Sequence, residues 1–202
     1  KIGVIHRGFS VYGKSKYRNV PQWQLPIEIK RRFPEILMIC DPSHISGKRE
    51  YIQEVAQQAM DLGFAGLIVE SHICPEIALS DAAQQVTPAF LTGILGKLII
   101  RNIDTENLEY KESIDDLRAQ IDIIDNDLLE LLANRMKISD EIGKYKKQNN
   151  ITILQPGRWD NILAKVSEIG KARGLDCEFL EKVFKAIHQA SIDRQTKIMN
   201  KK

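Results

Sequence analysis

The sequence predicts two units of different architecture: an α/β unit built from βαβ repeats, then an all-helical unit. Three observations predict it. Short apolar runs at residues 2–6, 36–41 and 67–70 recur about every 30 residues with helical patterns between them, which is the rhythm of a parallel sheet. A heptad stripe then runs through Ile114, Leu117, Ile121, Ile124, Leu128, Leu131, Arg135, Ile138, Ile142 and Tyr145, the seam of a long helix buried against other helices. The third observation is Arg135 itself. A guanidinium on an apolar seam cannot lose its charge and needs an anion to face. No acidic residue on the stripe answers it, so the partner expected is a small anionic ligand inside a helical bundle.

The elements follow in order. The three apolar runs read as strands, followed by helices at about 22–32, 49–62 and 88–100. Thr87-Pro88 starts the last of these, with Thr as cap and Pro at the first helical position. Residues 101–112 are polar and acidic without a strong period and read as a linker. The first helix of the second unit runs from about 113 to 147, about 50 Å long, and a helix of that length needs a partner. Residues 148–155 form a loop, and Pro156 opens a second helix reaching about 171. Arg173-Gly174 breaks it, and Asp176 caps a third helix over 177–200. The expected domains are therefore 1–100, a linker at 101–112, and 113–202.

Composition excludes several classes. The chain has 29 basic and 27 acidic residues among 202, which argues against a generic nucleic-acid binder. No apolar run approaches a membrane span. Cys40, Cys74 and Cys177 lack paired spacing, so a reduced cytoplasmic protein is expected, with neither a disulfide framework nor a zinc knuckle. The chain enters its first strand almost directly from Lys1, which reads as a piece of a longer protein.

In the first half the polar residues sit at strand ends, where β/α barrels place their active sites. His44, Glu70 and Asp81 offer an imidazole and two carboxylates, suited to a divalent metal such as Mn, Fe, Co or Zn. Arg7-Gly8 offers a guanidinium beside exposed backbone, suited to a phosphate. By spacing alone each also reads as a hydrogen-bonded structural residue. The strings His6-Arg7-Gly8-Phe9, Lys16-Tyr17-Arg18-Asn19, Asp41-Pro42-Ser43-His44, Val69-Glu70-Ser71-His72 and Ala78-Leu79-Ser80-Asp81 resemble, in order, the end of the 3-deoxy-7-phosphoheptulonate synthases. The resemblance implies an incomplete (β/α)8 barrel, its last three βα units. It also implies Arg7 on the phosphate of phosphoenolpyruvate, Lys16 and Arg18 in a phosphate-binding loop, and His44, Glu70 and Asp81 on the metal. The cysteine ligand and catalytic lysine of that family lie on earlier strands and have no counterpart here. This half by itself is not expected to condense phosphoenolpyruvate with erythrose 4-phosphate.

In the second half, Arg135 and Lys146 share a helix face about 16 Å apart, close enough for two long side chains to lean across a small dianion. Arg118 lies about 25 Å before Arg135 and about 100° around the helix, so it joins such a site only from a second subunit. Ser191 and Gln195 interrupt an apolar stripe of Val183, Phe184, Ile187 and Ile198, and suit ether and hydroxyl oxygens. Arg158 adds a cation. Taken singly, Lys146 also reads as a solvated helix-end lysine, Arg118 as a surface residue, and Ser191 and Gln195 as bundle-internal pairs. Leu117-Arg118, Asp125, Leu131-Leu132-Ala133-Asn134-Arg135, Ile142-Gly143-Lys144-Tyr145-Lys146 and Arg158 together resemble the all-helical chorismate mutases.

That resemblance implies an intertwined homodimer of three-helix subunits. Arg118 would reach the partner's chorismate, Arg135 and Arg158 would hold carboxylates, Lys146 and Gln195 would flank the ether oxygen, and Ser191 would lie near the ring hydroxyl or a carboxylate. The reaction, chorismate to prephenate, is unimolecular and needs no cofactor. Gln155 stands where many members have Asp, and Trp159 where many have Glu, which puts the hydroxyl contact in doubt. The whole reads as a mutase fused to the last part of a synthase of aromatic amino acid biosynthesis. The alternatives are a domain sensing prephenate or chorismate, or an inert helical dimerisation module.

Overall fold

The computed structural model describes residues 2–102 and 104–201. Lys1, Lys202 and Ile103 of the expected linker lie outside the described residues, as does the side chain of Pro156. The chain divides into two compact units, Lys1–Glu106 and Asn107–Lys202.

The first unit is an α/β layer. Strands β1 (Gly3–His6), β2 (Leu37–Cys40) and β3 (Gly66–Leu67) form a parallel sheet in the order β1-β2-β3. Gly3 pairs with Leu37, His6 with Cys40, and Cys40 with Leu67. Helix α1 (Gln24–Arg32) makes the first crossover, and α2 (Pro42–Ser46) with α3 (Ile52–Asp61) the second. Helix α4 (Pro88–Lys97) follows, capped by Thr87, whose hydroxyl accepts from the Phe90 amide. The third strand is only two residues long, shorter than the run at 67–70 promised. Beyond it Ser71 pairs in parallel with Val86 as a single bridge. The short helix α2 was not anticipated; Asp41 nucleates it by accepting from the His44 amide at 3.0 Å.

The core follows the helical period of α3. Ile52, Val55, Ala56 and Ala59 are all fully buried, on one face at the i, i+3, i+4, i+7 spacing. Val55 and Ala59 pack with Met38, Cys40, Ile45 and Phe64, while Ile52 packs with Val86 and Ile94. Burial pushes the Cys40 thiol up to about 12, so it stays protonated and packs as an apolar residue. Ile5 is 51% exposed, as expected of a sheet too narrow to close on itself.

His6 is buried between Phe9, Trp23 and Phe64. Burial lowers its pKa below 6.5. The unfolded chain therefore binds this proton more readily than the folded one, and stability is lost as pH falls below about 6.5. Trp23 fluorescence in a Trp159→Phe background should show unfolding at progressively lower urea as pH drops from 7 to 5. A His6→Phe change should flatten that dependence.

The second unit is three helices: α5 (Leu108–Gln148), α6 (Pro156–Ala172) and α7 (Cys177–Met199). Helix α5 begins five residues earlier than the expected start at 113, because Asn107 caps it by accepting from the Tyr110 amide. It consumes part of the expected linker and spans 41 residues, about 60 Å. Asp176 caps α7 by accepting from the Phe179 amide at 2.7 Å. Helix α7 packs on both α5 and α6. The α5–α7 crossing is tight at Gly143, where a Cβ would stand 3.3 Å from the Gln195 Cα. Asp140 and Arg194 form a two-point ion pair at the same crossing.

One expectation fails within the single chain. The stripe of α5 is not buried against helices of its own unit. Ile124 is 63% and Leu128 52% exposed, and Ile121 and Leu131 are similarly open. The reason is reach: α7 has 23 residues against the 41 of α5, and its side-chain hydrogen bonds with α5 among the described residues fall between Arg135–Ser191 and Lys147–Ile198.

Candidate functional site

In the second unit five predicted residues meet. Arg135, Lys146, Arg158, Ser191 and Gln195 line one cavity of about 330 Å³, together with Ser139, Gln155, His188 and several isoleucines. That is the small end of the range for ligand pockets. The Arg135 guanidinium donates to Ser191 Oγ at 2.7 Å, and Ser191 Oγ donates to the Ile187 carbonyl at 3.0 Å. No carboxylate pairs with Arg135 among the described residues. Lys146 Nζ donates to the Ile153 carbonyl in the α5–α6 loop. Gln195 Nε2 donates to Ser139 Oγ at 3.1 Å, which leaves Gln195 Oε1 buried and unpartnered. Three cations thus face a cavity that no Asp or Glu lines among the described residues.

Arg118 does not join them. It is exposed and bonded to Asp115 one turn before it, far down α5 from the cavity. Sequence reasoning missed Ser139 and His188. Both carried a signal: Ser139 lies four residues after Arg135 and His188 three before Ser191, each on the face already marked. Trp159 does not line the cavity. Its indole stacks on His188 at 4.2 Å between centroids. His188, whose pKa burial and then Arg135 and Lys146 hold below the usual value, lines the cavity.

In the first unit, His44, Glu70 and Asp81 bring one ligand atom each to within 4.8 Å of one another. His44 Nε2 stands 3.5 Å from Glu70 Oε1 and 3.6 Å from Asp81 Oδ2. The motif around 41–44 explains the arrangement. Asp41 Oδ2 holds His44 Nδ1 at 2.7 Å and so aims Nε2 at the two carboxylates. Ser43 Oγ accepts from the Glu70 amide at 3.0 Å. Asp81 is held with φ at 46°, a left-handed conformation uncommon outside glycine. Buried Gln84 bridges the cluster, donating to Glu70 Oε2 at 2.7 Å and accepting from Arg18 at 2.9 Å. Arg18 also pairs with Asp81 at 2.9 Å.

Arg7 pairs with Asp41 at 3.2 Å and so borders this cluster. The close packing of Gly8 (φ 71°) on Asn19 holds the turn after Arg7, since a Cβ there would lie 2.8 Å from the Asn19 carbonyl oxygen. Lys16 is elsewhere: its ammonium bonds Glu54 at 2.6 Å and lies over the Tyr17 and Tyr51 rings. The sequence marked neither Asp41 nor Gln84 as a site residue, although Asp41 stands at a strand end three residues before His44.

Comparison with known proteins matches these units separately. Residues 1–99 match the DAHP synthetase I family and residues 117–196 match chorismate mutase type II. The bifunctional chorismate mutase/prephenate dehydratase of Buchnera aphidicola is 31% identical over 91 residues, covering 45% of this chain and 24% of that protein. The phospho-2-dehydro-3-deoxyheptonate aldolase of Thermotoga maritima is 35% identical over 86 residues, covering 43% of this chain and 25% of that protein. The chain thus spans about a quarter of the length of these relatives. The 4-amino-4-deoxychorismate mutase of Streptomyces venezuelae is 30% identical over 71 residues, covering 35% of this chain and 69% of that protein. Through residues 117–196 the chain belongs to the type II chorismate mutase family, and that domain follows, in the same chain, a segment at residues 1–99 that matches the DAHP synthetase I family.

Proposed function

We propose that the helical domain converts chorismate to prephenate and that the first unit is part of a synthase barrel joining phosphoenolpyruvate to erythrose 4-phosphate, so that one polypeptide serves two steps of aromatic amino acid biosynthesis. The observation that carries the first half is the cavity itself: three cations, no carboxylate among the described residues, and a buried Gln195 oxygen left without a partner.

Arg135 and Arg158 bind the two carboxylates of chorismate and hold its compact conformer, which removes most of the entropy from the barrier. Negative charge grows on the breaking ether oxygen. Lys146 Nζ and the Gln195 amide stabilise it. Turning the Gln195 amide over lets Oε1 accept from the Ser139 hydroxyl and aims the NH2 into the cavity, which relieves the orphaned oxygen. No proton is transferred and no cofactor is used. The family match supports turnover over a purely sensing or purely dimerising role. Saturable loss of chorismate absorbance with the purified chain tests the reading; a folded chain without it overturns the reading.

The exposed stripe of α5 is the surface of a homodimer. A second copy laid along it covers Ile121, Ile124, Leu128 and Leu131 and carries its Arg118 toward this chain's cavity. The three free cysteines and the absence, among the described residues, of any helix long and apolar enough to cross a membrane are in keeping with a cytoplasmic setting.

In the first unit His44, Glu70 and Asp81 would hold a divalent metal, and the donor set fits: one imidazole and two carboxylates, already converged and with the imidazole aimed by Asp41. Such an ion supplies Lewis-acid polarisation of a carbonyl. Arg7 and Arg18 offer guanidinium groups beside it for a phosphate. Titration with Mn²⁺ should give binding that His44→Ala abolishes and that Asp41→Asn weakens about 10–100-fold. Equal binding in all three chains would remove the site.

A further inference from the structure

Trp159 and His188 stand apart from the clamp just described. Their rings stack with planes 13° from parallel, an arrangement that fixes the imidazole plane and presents its edge to the cavity. Neither ring nitrogen of His188 has a hydrogen-bond partner among the described residues. The charged groups lining the same cavity are Arg135 and Lys146 on α5 and Arg158 on α6, all cations. Burial, then Arg135 and Lys146, hold its pKa below 6.5, so at neutral pH the uncharged ring offers one donor and one acceptor.

We propose that His188, held flat by Trp159, determines the pocket's specificity for the ligand's ring substituent, accepting an uncharged hydroxyl and refusing a protonated amine. The proposal rests on the reading of this cavity as a chorismate site. A hydroxyl both donates and accepts, which matches a neutral imidazole. An ammonium brings only donors and a positive charge into a cavity that already holds three cations and has no carboxylate lining it among the described residues, so the like charges repel. The choice is real within this fold, because a relative is named for 4-amino-4-deoxychorismate, whose ring carries an amine where chorismate carries the hydroxyl. Trp159 acts through His188 as a positioning residue.

The test is the ratio of kcat/KM for chorismate over 4-amino-4-deoxychorismate, measured with the full chain, with His188→Asn and with His188→Asp. The ratio is insensitive to the fraction of protein folded. The wild-type chain should favour chorismate by about tenfold or more, Asn should keep the ratio within about threefold, and Asp should cut it by about tenfold or more. Equal use of both substrates by the wild-type chain overturns the proposal while leaving the mutase reading intact. Parallel shifts in the Asn and Asp variants also overturn it, since they mark a role in packing and not in charge selection. No turnover of either substrate by a folded wild-type chain sinks the mutase reading, and this proposal with it.

Discussion

Replacing Lys146 by alanine is expected to lower chorismate turnover by about 10²–10³-fold while leaving the helical unit folded. Among the described residues the ammonium bonds only the Ile153 carbonyl, a contact that water can replace. The structural cost is that of one ordinary hydrogen bond, about 1 kcal/mol. The catalytic cost is larger because the growing charge on the ether oxygen has no other cation placed to meet it: Arg135 is tied to Ser191 and Arg158 enters from α6. Since the interaction strengthens only as the bond breaks, kcat should fall with little change in KM. Stopped assays of chorismate loss beside a circular dichroism melt separate the two effects. Turnover within about twofold of wild type would remove Lys146 from the mechanism.

Replacing Leu128 by glutamate is expected to split the dimer and to abolish turnover together. Within one chain Leu128 is 52% exposed, and an exposed substitution of this kind ordinarily changes stability by no more than about 0.5 kcal/mol. In a dimer built along the α5 stripe, the same carboxylate is buried without a partner, at a cost of several kcal/mol. Loss of the second copy also withdraws Arg118 from the cavity. Sedimentation should report a change from dimer to monomer, and chorismate turnover should fall with it. A variant that keeps the wild-type mass and activity would show that the stripe has another purpose.

Much of the site was legible because helices translate spacing into direction. The 3.6-residue period places Arg135, Ser139, Ile142 and Lys146 on one side of α5, and His188, Ser191, Ile192 and Gln195 on one side of α7. Those two faces meet along the cavity. Arg118 could be excluded from the cavity by the same arithmetic. His44 and Glu70, which follow their strands, were likewise readable, because a parallel sheet gathers the ends of its strands on one edge, whereas Asp81 lies on a loop well beyond β3.

What the sequence determined by itself, then, is periodic: the two architectures, the order of elements, and the faces on which charged residues fall. Only the tertiary structure decided the pairings across elements. It placed Lys16 on Glu54 and set Trp159 against His188. These contacts join residues on different elements, and no period along a single element encodes them. They depend on how far apart two elements pack and how each is rotated, which is settled by the fit of side chains in the core and not by the repeat of any one segment.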